Sequence, residues 1–536
     1  MSIPSQYPGT PPTGTPPAPG QPLVRSGSAL VSGLVRAAGV LVLGGLGVLV
    51  WRALALAAAP ATVRGGGTPS PGYSIVSHEP VQQLVNSRLG ASLLVLALAL
   101  VVGALVGYGV AGLRTVLPSP AGRVAGGVGW LLGVLWTPPV PLAMTFASLV
   151  VAGAAGAAGA GRMAILALGL GSAVAVLVAV TVGERWRRRA WLAGALAGVG
   201  AVGQGLAASA GALVVLEPLV SQPGVGNLLV QSLVRLDVTA VAAAATTLLV
   251  VALMGQLVGA LAGAFGDWLD VPEPSSTPEG SVLGTVLGVA ALVTLVAPVL
   301  ALAGSLLTGS TTMFDEQHAG MGPSLTHLLG TDAVGRDVLA RLLVGFRDAW
   351  LISLGSVAIA AMVGLSWGAV AVVLERKLPR GGRVVAEALL APGRLVMVAP
   401  LMVAGLILVG TDRWPAVFAL ALILAPRLAT AVPGLARPSL ASVPAMVRTA
   451  GGLLLSAWGV ALAVLIGQQF VGVGVFAPAP ALGGVLAERV PYFVVGAGQS
   501  LLAALLVVVL TAPFLLAGWA LLRQSPRADA VTTLDA

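Results

Sequence analysis

The chain lacks cysteine altogether and is poor in histidine, lysine, aromatics and charge of either sign. Without cysteine there is no disulfide framework, no thiol nucleophile and no cysteine-based metal or iron–sulfur centre. The three histidines, His78, His318 and His327, stand too far apart in sequence for a local ligand motif, so no metal site and no cofactor are expected. Charged residues make up 9% of the 536 positions, against about 25% in a soluble domain, which excludes an ordinary soluble fold. The G-x-x-x-x-G-K-[ST] phosphate loop is also missing, so ATP hydrolysis by this chain is not expected.

What remains is 57% hydrophobic, with a mean hydropathy of +0.99. The apolar runs continue for twenty residues or more, as helices need in order to cross a hydrocarbon layer of roughly 30 Å. Strands of a membrane barrel would instead alternate polar and apolar over about ten residues. Gly, Ala, Val and Leu dominate, which suits helices packed closely through small side chains. The expected fold class is therefore an all-α integral membrane protein. The formal net charge is +9, but the 27 arginines and Lys377 are scattered among short loops, which indicates orientation in a bilayer and no nucleic-acid partner.

Residues 1–29 form an expected disordered cytoplasmic tail, rich in Pro, Gly, Ser and Thr and without the residue order of a signal peptide. Spans are predicted at about 30–57, 90–113, 124–151, 163–182, 190–216 and 238–264, then at 282–307, 348–374, 388–410, 414–433, 453–476 and 495–522. A proline-punctuated polar stretch, 266–281, separates the two sets as a cytoplasmic linker, and 524–536 is a second tail. With both termini inside, the cluster Arg185, Arg187, Arg188 and Arg189 and the groups near 376–383 and 523–527 fall on the cytoplasmic side. The expected architecture is about twelve helices in two tandem six-helix bundles of the same orientation, 30–265 and 282–523.

The polar run from His327 to Asp337 interrupts this apolar background. Two aspartates and an arginine within six residues cost about 2.5 to 3.5 kcal/mol each in hydrocarbon, so the run belongs at a surface or in a wet cavity. Its plain role is a solvated loop in which Asp332 or Asp337 caps a helix starting near Val338. Val338, Leu339, Leu342, Leu343 and Phe346 then mark a separate external amphipathic helix. Glu217, directly before Pro218, is either an interfacial carboxylate or an intramembrane acid paired with Arg235, and Gln468 and Gln469 stand at the corresponding place in the second half. Pro223, Gly224 and Gly226 are expected to form a re-entrant or tight external turn in which glycine allows positive φ and close backbone approach, as are Gly472 and Gly474.

The run Pro323-Ser324-x-x-His327-x-Leu329-Gly330-Thr331-Asp332-x-x-Gly335-Arg336-Asp337-Val338-Leu339-x-Arg341-Leu342-Leu343-x-Gly345 resembles the C-type membrane subunit of bacterial dipeptide, oligopeptide and nickel ABC importers. Tyr73-Ser74, Glu79-Pro80-Val81, Val214 to Glu217, Pro223-Gly224-Val225-Gly226-x-Leu228-Leu229 and Arg235-x-Asp237 are similar to the partner B-type subunit. The resemblance implies a natural fusion of two permease halves in a bacterial cytoplasmic membrane, importing a small solute, a di- or oligopeptide, by alternating access. It implies an external vestibule at Gly330, Thr331, Asp332, Gly335, Arg336 and Asp337. The implied partners are two ABC ATPase subunits (or one fused), an extracytoplasmic substrate-binding lipoprotein and the lipid bilayer.

The chain departs from that family where the ATPases would dock. The first-half loop is reduced to 183–189, and seven helical residues reach only about 10 Å. In the second half a remnant persists at Val443 to Gly452, including Val447, Arg448, Ala450 and Gly451, with Arg and Thr where the family has Glu and Ala. Two other readings stay open: a scaffold or regulatory membrane subunit working without ATPases, and a secondary carrier coupled to an ion through Glu217.

Overall fold

The computed structural model describes residues 73–116, 159–187, 191–235, 237–269, 315–378, 382–394, 413–435, 443–470, 480–489 and 513–518, with isolated positions elsewhere. These residues are helical, apart from turns and two isolated β-bridges. The helices are α1 Val81–Val116, α2 Gly159–Arg187, α3 Trp191–Leu219, α4 Val225–Val234, α5 Val238–Leu269, α6 Val338–Lys377, α7 Gly382–Arg394, α8 Arg413–Leu435, α9 Val443–Phe470 and α10 Leu482–Arg489. Among the described residues six helices are long and apolar enough to cross a membrane: α1, α3, α5, α6, α8 and α9. Helix α2 covers the span predicted at 163–182. The spans predicted at 30–57, 124–151, 282–307, 388–410 and 495–522 lie wholly or largely outside the described residues.

Two expectations about element boundaries are corrected. The external amphipathic helix and the span after it are one helix, α6, of 40 residues. No proline falls between Val338 and Lys377, so nothing breaks the backbone ladder where the polar run meets the apolar one. At 1.5 Å per residue the helix is roughly 60 Å long, about twice the hydrocarbon thickness. Likewise α5 runs on through Leu269, four residues into the stretch read as linker.

The helices pack in a pattern that recurs in both sets. In the first, α1 and α2 run parallel, Gly103 lying against Val174, Gly107 against Val178 and Gly112 against Trp186. Helix α3 returns antiparallel, with Gly205 against Val174 and Gly194 against Trp186, and α5 turns back along α3. In the second set α6 and α8 run parallel, Gly364 meeting Leu428 and Gly368 meeting Val432, while α9 returns antiparallel. Small residues allow these approaches, as expected where lipid supplies no drive for helices to associate. Trp350, Trp458 and Phe514 stack at 4.9 Å between successive ring centres and join α6, α9 and the helical residues 513–518.

A single apolar cluster spans both sets. It contains Val85 and Leu96 of α1, Leu213 of α3, Leu229 of α4 and Leu248 of α5. It also contains Leu342 and Phe346 of α6, Leu465 and Ile466 of α9 and Val485 of α10. All of these lie toward one end of their helices, the end where α1 and α6 start and α3 and α9 finish. Helices α3 and α9 meet where the two sets join.

Candidate functional site

The polar run of the second half folds into a compact knot before α6. Asp337 has extended backbone and caps α6, its carboxylate accepting from the Ala340 N–H at 2.7 Å. Its other oxygen lies 2.8 Å from His327 Nδ1. Thr331 donates its hydroxyl to the His318 carbonyl and accepts from the Met321 N–H. The chain reverses at Gly335, φ +84°, where any side chain would collide with the Asp315 carbonyl. Gly330 also adopts a positive φ, +73°. His318 and His327, separated by nine positions in sequence, come to 6.0 Å between ring centres. No group of three or more metal-ligating side chains occurs among the described residues.

Asp332 is the hub of this knot. One oxygen accepts from the Val334 and Arg336 N–H groups, the other from Arg336 Nε and Arg341 Nη1, both at 2.7 Å. Burial opposes ionisation of Asp332, but these hydrogen bonds and the Arg336 charge outweigh it and hold the carboxyl below the usual range. Arg341, 1% exposed, also donates to Glu488 of α10 at 2.5 and 2.9 Å. The polar knot is thereby fastened to the short helix that follows α9. Sequence reasoning misses Glu488. Its signal is isolation, because it is the sole carboxylate between Asp412 and Asp529.

The first half uses a similar fastening with smaller parts. Asp237 precedes α5 and accepts from the Ala240 N–H, from Thr239 and from Ile75 N–H, while the Ser74 hydroxyl donates to its other oxygen. Burial again opposes ionisation, and these donors, Ser74 foremost, hold Asp237 below the usual range. The segment before α1 is thus tied to the residues after α4, as the segment before α6 is tied to α10.

Glu217 sits at the end of α3, fully buried. Ser92 of α1 donates to one carboxylate oxygen at 2.6 Å, and the Asn227 N–H, in the first turn of α4, to the other at 3.1 Å. The same Ser92 oxygen accepts from the Val225 N–H at 2.8 Å. Glu217 therefore satisfies orphan donors at the start of α4 and places its charge at a helix N-terminus. The proposed partner Arg235 lies instead past the far end of α4 and is exposed. Gly224 has φ −111°, so the expected positive φ is corrected; the left-handed residue of this turn is Ser221, φ +53°. Gly224 is needed for space, since a side chain there would strike the Glu217 carboxylate. Pro223 beside it is exposed. Gly226 seats α4 against the Leu213 carbonyl, and Gly483 seats α10 against that of Ile466. Gln469 accepts from the Gly483 N–H at 3.2 Å, so a neutral amide does at α10 what Glu217 does at α4. Gly472 and Gly474 lie outside the described residues.

The two shortened loops are shorter than the sequence indicates. Helix α2 continues through Arg187 and α3 begins at Trp191, so Arg185 and Arg187 are helical, and Arg188 and Arg189 lie outside the described residues. Trp186 packs against Trp191 at 5.4 Å and Tyr108 at 5.9 Å between ring centres, closing the turn. Val447, Arg448, Ala450 and Gly451 belong to the first turns of α9, with Val447 and Arg448 exposed and Thr449 buried. Three positions, 188–190, separate α2 from α3.

No family model matches the chain. It is 33% identical over 93 residues to the "Glutathione transport system permease protein GsiD" of Pectobacterium atrosepticum. That stretch is 17% of this chain and spans just under a third, 31%, of the relative's length. The six long apolar helices among the described residues point to a multi-pass membrane protein, and the partial likeness is to a transport permease.

Proposed function

We propose that the chain is the membrane-spanning part of a peptide-type ABC importer, with B-type and C-type halves fused in tandem, the same way up, in a bacterial inner membrane. The 93-residue likeness to a transport permease carries this reading. It is supported by the recurring pattern of long helix, parallel partner, antiparallel return and short helix, and by the apolar cluster that joins like ends of the two sets. A solute delivered by an external binding protein passes along the seam between the halves, and ATPase subunits inside drive the alternation. The knot from residue 315 to 337 forms the external vestibule.

The test is purification of the tagged chain from its native membrane in mild detergent, followed by reconstitution into liposomes. Co-purification of an ATPase and uptake of a labelled dipeptide or glutathione that requires ATP support the reading. A second reading, a permease-like scaffold without ATPases, is favoured by one observation: only residues 188–190 join α2 to α3. A well-folded chain that repeatedly purifies without an ATPase decides for it. An ion-coupled carrier through Glu217 has less support, because that carboxylate is engaged by Ser92 and the start of α4.

A further inference from the structure

Among the described residues the buried side-chain nitrogen and oxygen atoms without a hydrogen-bond partner are Arg341 Nε, Trp350 Nε1 and both ends of the Gln468 amide. Arg341 and Trp350 each leave one nitrogen over from a side chain otherwise engaged, by Asp332 and Glu488 or by the Trp458 ring. Gln468 is different. It is 7% exposed and neither its donor nor its acceptor is used. An amide buried in that state costs stability, and native proteins keep such groups only where something else fills the need.

The fold does not require a polar group at this position. Its neighbour Gln469 carries the structural task at the start of α10, and in the first set the residue before Glu217 is Leu216, buried at 2%. At 100° per residue, Gln468 shares a face of α9 with Ala461 and Val464. Gly459, which meets Leu515, lies on the opposite side of α9, and Trp458, which meets α6, lies about a quarter turn away from Gln468. On that face Ala461 packs with α6 and α8, Val464 lies against the apolar cluster that spans both sets, and α9 is a helix of the second set that meets α3 across the junction.

We propose that Gln468 is a solute-binding residue on the route between the two halves, its carboxamide pairing with a planar amide of the passing solute. Such an amide, the peptide bond being the commonest, offers one acceptor and one donor in one plane, the complement of a glutamine side chain. The inference rests on the permease reading and names the group that reading leaves open.

Because the chain has no cysteine, Gln468→Cys creates a single thiol in the full-length protein. In right-side-out membrane vesicles, a charged methanethiosulfonate should modify it, and millimolar alanyl-alanine should slow that modification about tenfold. Gln468→Leu, which copies Leu216 of the first set, should unfold at the same temperature as the parent or higher, and half-saturation of dipeptide uptake should need about tenfold more solute. A thiol that reacts only after denaturation overturns the proposal, and so does one that reacts at a rate indifferent to the dipeptide. So does a Gln468→Leu chain that loses stability while uptake is unchanged. Failure of ATP-driven uptake by the unaltered chain, with position 468 still labelled and protected, counts against the importer reading alone.

Discussion

Arg341 and Glu488, 147 positions apart, meet through both terminal guanidinium nitrogens, at 2.5 and 2.9 Å, so that the first turn of α6 is clamped to α10. The two ends of the clamp differ in exposure, 1% for Arg341 and 40% for Glu488. Arg341→Leu leaves Asp332 short of a donor inside the protein and should cost about 3 kcal/mol. Glu488→Gln removes a charge that water already screens and should cost about 1 kcal/mol. Thermal unfolding in detergent measures both, and an equal or reversed order contradicts the clamp.

Glu217 should be replaceable by its amide. Gln469 performs the corresponding task without charge, so Glu217→Gln should keep stability within about 1 kcal/mol and leave uptake intact. Glu217→Ala removes the acceptor and should cost about 1 to 2 kcal/mol. Uptake that depends on proton or sodium gradients and disappears in Glu217→Gln would instead identify an ion-coupled carrier.

Gly226→Ala and Gly483→Ala should both fail to accumulate as folded protein. The added methyl group meets main-chain carbonyls, of Leu213 and Ile466, which cannot swing aside as a side chain would. Overpacking of this kind costs about 1 to 3 kcal/mol, to which the displacement of a capped short helix adds. Normal yield and melting temperature for either variant would contradict the close seating of α4 and α10.

Asp332 and Asp237 have folded-state pKa values below the ordinary carboxylate value of about 3.9. Groups shifted in this direction contribute stability that is fully present above the unfolded value and is lost as pH falls through the folded one. The unfolding temperature should therefore hold between pH 7 and about 5 and decline below about 4. Asp332→Asn should lower it at neutral pH by the equivalent of roughly 2 kcal/mol and make the acid decline shallower. An unchanged acid profile in that variant argues against the hub role of Asp332.

Orientation can be read with engineered thiols, since no native one interferes. Leu325, 99% exposed in the knot before α6, and Leu192, 66% exposed at the start of α3, lie at opposite ends of the helices. An impermeant maleimide applied to intact cells should label Leu325→Cys and spare Leu192→Cys, with the reverse in inverted vesicles. Labelling of both from one side ends the parallel two-bundle reading.

Some of this organisation is legible in the sequence. Apolar runs longer than a bilayer is thick, interrupted by one dense polar stretch, leave helices as the way to satisfy backbone groups in hydrocarbon, and composition alone carries that conclusion. The helix boundaries are less legible. Periodicity marks Val338 to Phe346 as its own helix, yet a ladder of backbone hydrogen bonds ignores the change from polar to apolar surroundings and runs on unbroken to Lys377.

The sequence by itself determined the class of solvent, the helical repertoire and the residues scarce enough to matter, because burial of backbone and charge in lipid is settled locally, residue by residue. Only the tertiary structure decided their partners. That Glu217 answers Ser92 and α4 in place of Arg235, that Arg341 reaches Glu488, and that Gln468 is buried without a partner beside an occupied Gln469 all depend on helices distant in sequence. Those meetings are set by how close glycine and alanine faces let the helices come, a property of pairs of surfaces that no single segment contains.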